Sequence, residues 1–195
     1  MALGFGMQFT VDQLSEIECY LSEQGAVFLV ESLENISGLN DSERVCNAIA
    51  EFEHEEAAFA MLQKAQRAGA KFTLSQIARI ADYVTEDGAL LMLHNLQNGL
   101  ALATQNDVCE IVKNVVYEAF CNELTQMALE TGIRFDPNNI IAMNGCVDIA
   151  VLNMMVDTCP IQFKRNQLLE LRYSISDDVF CRAAQKSNIF FGDDE

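Results

Sequence analysis

Apolar residues along this chain recur at three- and four-residue intervals, the pattern of helices that bury one face. Leu14, Ile17 and Leu21 form one such row, and Ile77, Ile80 and Val84 form its counterpart 63 residues later. Thr10-x-x-Gln13 and Thr73-x-x-Gln76 precede these rows as capping boxes, which satisfy backbone N–H groups left free in a first helical turn. Gly25 and Gly88 are expected to end this first helix. A second helix follows, with Val27, Leu29, Val30, Leu33 and Ile36 in one place and Leu90, Leu93, Leu96 and Leu100 in the other. It is apolar nearly all round, which predicts a helix buried in the middle of a layer. A third helix runs from near Asp41 or Asn106 to Gly69 or Gly132, both good left-handed terminators. At about 27 residues it exceeds the usual globular length, so a break midway is expected. Alternating, strand-like patterns are weak everywhere.

The pattern repeats because the sequence does. FTVDQLSEIECYLSEQGA, starting at Phe9, aligns without a gap on FTLSQIARIADYVTEDGA, starting at Phe72. Leu33/Leu96, Asn35/Asn98, Val45/Val108, Cys46/Cys109, Glu55/Glu118, Ala65/Ala128 and Gly69/Gly132 continue the correspondence at the same offset of 63. A third copy opens with Phe135-Asp136-Pro137, where Asp136 is the expected cap and Pro137 takes the first helical position. It then diverges, and Ser176 to Cys181 reads as a distorted return of the Asp107-Val108-Cys109 segment. Terminal copies in repeat proteins are often atypical because they cover an exposed core. The expected fold is therefore all-α: one tandem helical-repeat domain over 1–195, with copies at 9–71 and 72–134 and a divergent cap at 135–195. Each 63-residue copy is expected to hold about three helices. The architecture resembles HEAT or armadillo arrays in stacking helical units, although the period is longer than theirs and no family motif is present; a compact multi-helix bundle is the alternative.

Composition narrows the function. With 12 basic and 29 acidic residues the net charge is −17, a poor basis for gripping phosphates or an anionic membrane. MALGFGMQF has neither the basic start nor the long apolar run of a signal peptide, and Gly4 and Gly6 are misplaced for myristoylation. Seven scattered cysteines without a CxxC predict reduced, buried thiols in the cytoplasm. No Ser/His/Asp or Cys/His set, phosphate loop or dinucleotide fingerprint is present, so no enzyme, cofactor or metal is expected.

Two aligned copies also act as a control, because polar residues kept in both serve the copy and those in one copy alone serve something else. Tyr20/Tyr83, Asn35/Asn98 and Glu23/Glu86 fall in the first class, as core or turn residues. Glu51-Phe52-Glu53-His54-Glu55-Glu56 falls in the second, since copy two reads Asn114-Val115-Val116-Tyr117-Glu118-Ala119 there. Glu56 continues the stripe of Phe52, so either the helix bends or Glu56 meets a cation. Charge is equally uneven: residues 1–60 hold twelve acids against Arg44 alone, a net −11.

These features lead to a non-catalytic module that binds another protein with a basic surface. The expected contact residues are Glu51, Glu53, His54, Glu55 and Glu56, with Glu31 and Glu34. Neither direct nucleic-acid nor membrane binding is expected, and homo-oligomerisation is left open. A second reading is an acidic nucleic-acid mimic of the anti-restriction or anti-CRISPR kind, similar in charge alone. A third places an enzyme or metal site around Glu51-x-x-His54, which matches half of the Glu-x-x-His pattern of di-iron bundles. Near the C-terminus, Gln185 to Phe191 resembles a sliding-clamp-binding peptide at the wrong spacing. Phe190 and Phe191 are expected to fold back over the last helix instead.

Overall fold

The computed structural model describes residues 8–191, and within them the protein is all-α. Gly4, Gly6 and the acidic end Asp193-Asp194-Glu195 lie outside the described residues. Twelve α-helices follow one another in pairs: α1 (Val11–Glu18) with α2 (Glu23–Ser32), α3 (Ser42–Ile49) with α4 (Glu55–Arg67), and α5 (Leu74–Ile80) with α6 (Glu86–His94). Then come α7 (Gln105–Asn114) with α8 (Glu118–Glu130), α9 (Pro137–Met143) with α10 (Ile149–Thr158), and α11 (Arg165–Leu171) with α12 (Asp177–Lys186). A short 3-10 turn, Ala81–Tyr83, prolongs α5. The strands named among the described residues are a two-residue parallel pair, β1 (Phe9–Thr10) against β2 (Ile36–Ser37).

The pair is the recurring element, and it is half the length of the sequence period. The first helices are capped at Thr10, Asp41, Thr73, Thr104, Asp136 and Lys164. The second helices are capped at Ser22, His54, Thr85, Tyr117, Asp148 and Ser176. In both rows the spacing alternates between 31 and 32 residues and falls to 28 at the last pair. Each 63-residue copy thus holds four helices where the apolar pattern predicts about three. The expected break of the long helix occurs in both copies, at Ala50–His54 and at Val115–Tyr117. One buried position recurs in every helix. Leu14, Val45, Ile77, Val108, Ile140 and Leu168 sit four residues past their caps, and all are fully buried. So are Ala26, Ala58 and Ala89 at the same place in their second helices, with Cys121, Leu152 and Phe180 nearly so.

Several expectations need correction. Gly25 and Gly88 do not end the first helix; they lie in the first turn of α2 and α6, where their N–H groups donate to Ser22 Oγ and Thr85 Oγ1. Gly88 is small for a packing reason, since a Cβ there would come within 3.1 Å of Val84. Ser176 to Cys181 is no return of the Asp107 segment, because it opens the second helix of its pair and Asp107 lies in a first helix. The second helix is not buried all round either: Ala26 and Val30 are, but Phe28 is 63% exposed. By contrast, Gly69 and Gly132 end α4 and α8 as expected, with φ of +90° and +94°. The N–H groups of Ala70 and Ile133 then reach back to the Ala65 and Ala128 carbonyls at 2.9 Å, which closes the helix end. Asp136 caps α9 by accepting from the N–H groups of Asn138 and Asn139, with Pro137 in the first position.

The chain forms two compact bodies, one up to Gly99 and one from Leu100, so the division falls after the third helix pair and inside the second sequence copy. In the N-terminal body α1, α3 and α5 pack in one row and α2, α4 and α6 in another. Polar side chains tie neighbours in the first row. Arg44 pairs with Asp12 at 2.7 Å, and Glu43 accepts from Gln76 and Arg79 at 2.9 Å each. The C-terminal body repeats this scheme with α7, α9 and α11 beside α8, α10 and α12. There Gln105–Asp136, Asn106–Asn139 and Asn138–Gln167 are among the linking hydrogen bonds. Phe191 does fold back, with its ring 5.1 Å from Phe180 and beneath the Arg165 guanidinium, whereas Phe190 stays 86% exposed. Among the described residues no helix is long and apolar enough to cross a membrane.

Candidate interaction surface

The acidic segment at 51–56 is shaped by the helix break. Residues 50–54 lie between α3 and α4, so Glu51 and His54 do not share a helix face as a di-iron half-site requires. His54 caps α4 without using its side chain. The missing acceptor comes from α1: the Glu18 carboxylate takes the N–H of Glu53 and of His54, both at 3.0 Å. Glu18 is only 1% exposed, at the position held by Ile49, Ala81 and Val112 in the next three first helices. An isolated buried carboxylate is costly, and two backbone donors plus the start of a helix offset that cost.

The neighbouring side chains follow from this lock. The imidazole of His54 lies 3.1 Å from the Leu21 carbonyl, which can only accept, so Nε2 carries the proton. The single Ser15 hydroxyl proton has two acceptors in reach, the Asp12 carbonyl at 2.9 Å and the Glu51 carboxylate at 3.2 Å. Half-buried His54 is therefore turned toward α1 and Glu51 reaches Ser15 there, yet Glu51, like Glu53, Glu55 and Glu56, is exposed to solvent. Among the described residues no group of three or more His, Cys, Asp or Glu is arranged to hold a metal ion. Glu56 is explained by the bend and has no arginine partner among the described residues.

The structure brings Glu31 and Glu56 together and leaves Glu34 apart. An open groove of about 500 Å³ is lined by Glu23, Gln24, Val27, Phe28 and Glu31 of α2 and by Glu56 of α4. Glu34 lies past the C-terminal end of α2, where Lys64 Nζ donates to the Leu33 carbonyl at 2.8 Å. Glu23 and Glu55 open their helices, as Glu86 and Glu118 open α6 and α8, a place where a carboxylate favours the helix dipole. Glu31, near the C-terminal end of α2, has no such local use, whereas Glu56 shares the first turn of α4 with Glu55. The counterparts of Glu31 and Glu56 in copy two are His94 and Ala119.

Sequence reasoning missed Phe28 as a surface residue. The copy comparison carried no signal of it, since Phe28 aligns with the equally apolar Leu91. Tyr20 and Tyr83 are turn residues as expected but not core: Tyr20 is 86% exposed, and both lie on the turn between the two helices of their pair. The thiols divide similarly. Cys46, Cys109, Cys121 and Cys159 are buried, while Cys19 and Cys181 are exposed, contrary to the expectation for all seven. Burial pushes the Cys46 thiol up to about 11 and raises those of Cys109 and Cys159, which makes poor nucleophiles of them.

In comparison with known proteins, the chain gives no significant match to any family model, curated protein or solved structure.

Proposed function

We propose that the protein is a non-catalytic helical interaction module that binds a basic partner protein through the acidic surface of its first sixty residues. One observation carries the reading: the α2–α4 groove joins an exposed phenylalanine to the carboxylates of Glu23, Glu31 and Glu56. These carboxylates form no ion pair with a cation among the described residues, and Arg44, the one basic residue before position 61, is held by Asp12. Exposed apolar area within a field of one sign suits recognition of an oppositely charged partner, which the field also steers. A phosphate-mimicking surface has less support, because Asp12, Glu18 and Glu43 are turned to partners within the chain.

The test is capture from the native host with the wild-type chain, a Glu51/Glu53/Glu55/Glu56→Gln variant and a Glu23/Glu31/Glu56→Gln variant. A partner retained by wild type at about 0.1 M salt and released at about 0.5 M is the expected result. At least one variant should capture markedly less of it. Equal capture by all three chains would remove the acidic surface as the binding site.

A further inference from the structure

The groove between α2 and α4 also limits what it can receive. Phe28 lies midway along α2, with half-buried Val27 beside it and Glu23 and Glu31 one turn or so to either side. Glu56 lines the same groove from the start of α4. Glu23, Val27 and Glu31 are four residues apart, so the two carboxylates are spaced about 12 Å along the helix with an apolar stretch between them. An exposed apolar residue standing alone is ordinary. Here it lines an open groove of about 500 Å³ together with Val27, with the exposed carboxylates of Glu23, Glu31 and Glu56 at the rim.

The rim decides among occupants. An acidic segment, a nucleic acid or an anionic bilayer would set like charges against the three carboxylates. A second copy would bring its own net charge of −17. A cationic amphipathic helix meets both requirements, with its apolar side chain on Phe28 and its ammonium or guanidinium groups on the rim. Laid along α2, a helix matches the carboxylate spacing with basic residues eight apart and an apolar residue midway, because both helices rise by the same 1.5 Å per residue.

We infer that the α2–α4 groove is the docking site for a short basic amphipathic helix of the partner, in the pattern basic-x-x-x-apolar-x-x-x-basic. Phe28 is the apolar anchor point, and Glu23, Glu31 and Glu56 bind the flanking cations. This rests on reading the first sixty residues as a partner-binding surface.

The experiment uses the full chain and a fluorescein-labelled, alanine-based helical peptide carrying Lys-x-x-x-Leu-x-x-x-Lys. A second peptide of the same composition has its leucine moved two positions round the helix, and a third has glutamate for lysine. Fluorescence anisotropy is read for wild type, Phe28→Ala and Glu23/Glu31/Glu56→Gln, with circular dichroism showing that the variants stay folded. The expected result is tenfold or greater weakening for each variant and for the shifted peptide, and no binding of the glutamate peptide. If Phe28→Ala and the shifted peptide bind like their parents while the glutamine variant weakens, the groove is overturned and the acidic surface stands. If the lysine peptide does not bind wild type at all, the groove is overturned too, and capture from the native host then decides the broader reading separately.

Discussion

Replacing Glu18 by alanine removes the acceptor for two backbone N–H groups at once. Those of Glu53 and His54 each lie 3.0 Å from a different carboxylate oxygen, and the residue is 1% exposed. A hydrogen bond to a charged acceptor contributes about 1.5–3 kcal/mol, and a buried donor left without a partner costs about 1–3 kcal/mol. Water entering the space vacated by the side chain recovers part of this, so the expected loss is about 2–4 kcal/mol. That is a large share of a typical domain stability of about 5–15 kcal/mol. Glu18→Gln keeps one acceptor oxygen and should lose about half as much. The exposed carboxylate of Glu53 is the control, and Glu53→Gln should stay within about 0.5 kcal/mol of wild type. Urea unfolding followed by circular dichroism supplies the free energies. Amide hydrogen exchange at residues 53 and 54 localises the change, because only a lost acceptor speeds those two sites ahead of the surrounding helices. If Glu18→Ala unfolds within about 0.5 kcal/mol of wild type and leaves both amides protected, the reasoning that this acid serves the fold is refuted.

Other consequences are as direct. Ellman's reagent at neutral pH should modify Cys19 and Cys181 quickly in the native protein and reach Cys46, Cys109, Cys121 and Cys159 only on unfolding; early reaction of Cys46, whose thiol burial raises to about 11, would contradict the packing. Asp136→Ala removes the acceptor for the Asn138 and Asn139 N–H groups and should cost about 1 kcal/mol in urea unfolding, while alanine at exposed Asn166 should cost less than half of that. The Ser176 hydroxyl and the Arg182 guanidinium lower the Asp178 carboxyl to about 2 from an ordinary value of 3.8. Since the folded value is the lower one, its contribution to stability is complete above about pH 4 and fades as pH falls toward 2. A side-chain carboxyl titration by NMR should show that midpoint, and one near 3.8 would mean that Arg182 does not hold Asp178 in solution.

The helices were largely legible in the chain because capping is local. Thr10, Thr73 and Asp136 announce their helices by side chains that reach only three residues ahead, and Gly69 and Gly132 end theirs by φ values that other residues rarely adopt. Gly25 and Gly88 were misleading, since a glycine admitted for space looks the same in sequence as one admitted for its φ. The helix-pair period was hidden for a related reason. Thr10 and Asp41 cap equivalent helices with different residues, so identity survives over 63 residues and fades over half that distance.

Acidity divides along the same line. Its amount, and its concentration in the first sixty residues, belong to the sequence alone, because charge needs no neighbours to be counted. What each carboxylate does is decided by what the fold sets beside it. Glu18 and Glu56 are equivalent letters in the chain. Tertiary packing buries the first against two backbone donors and leaves the second exposed, lining the same groove as Phe28.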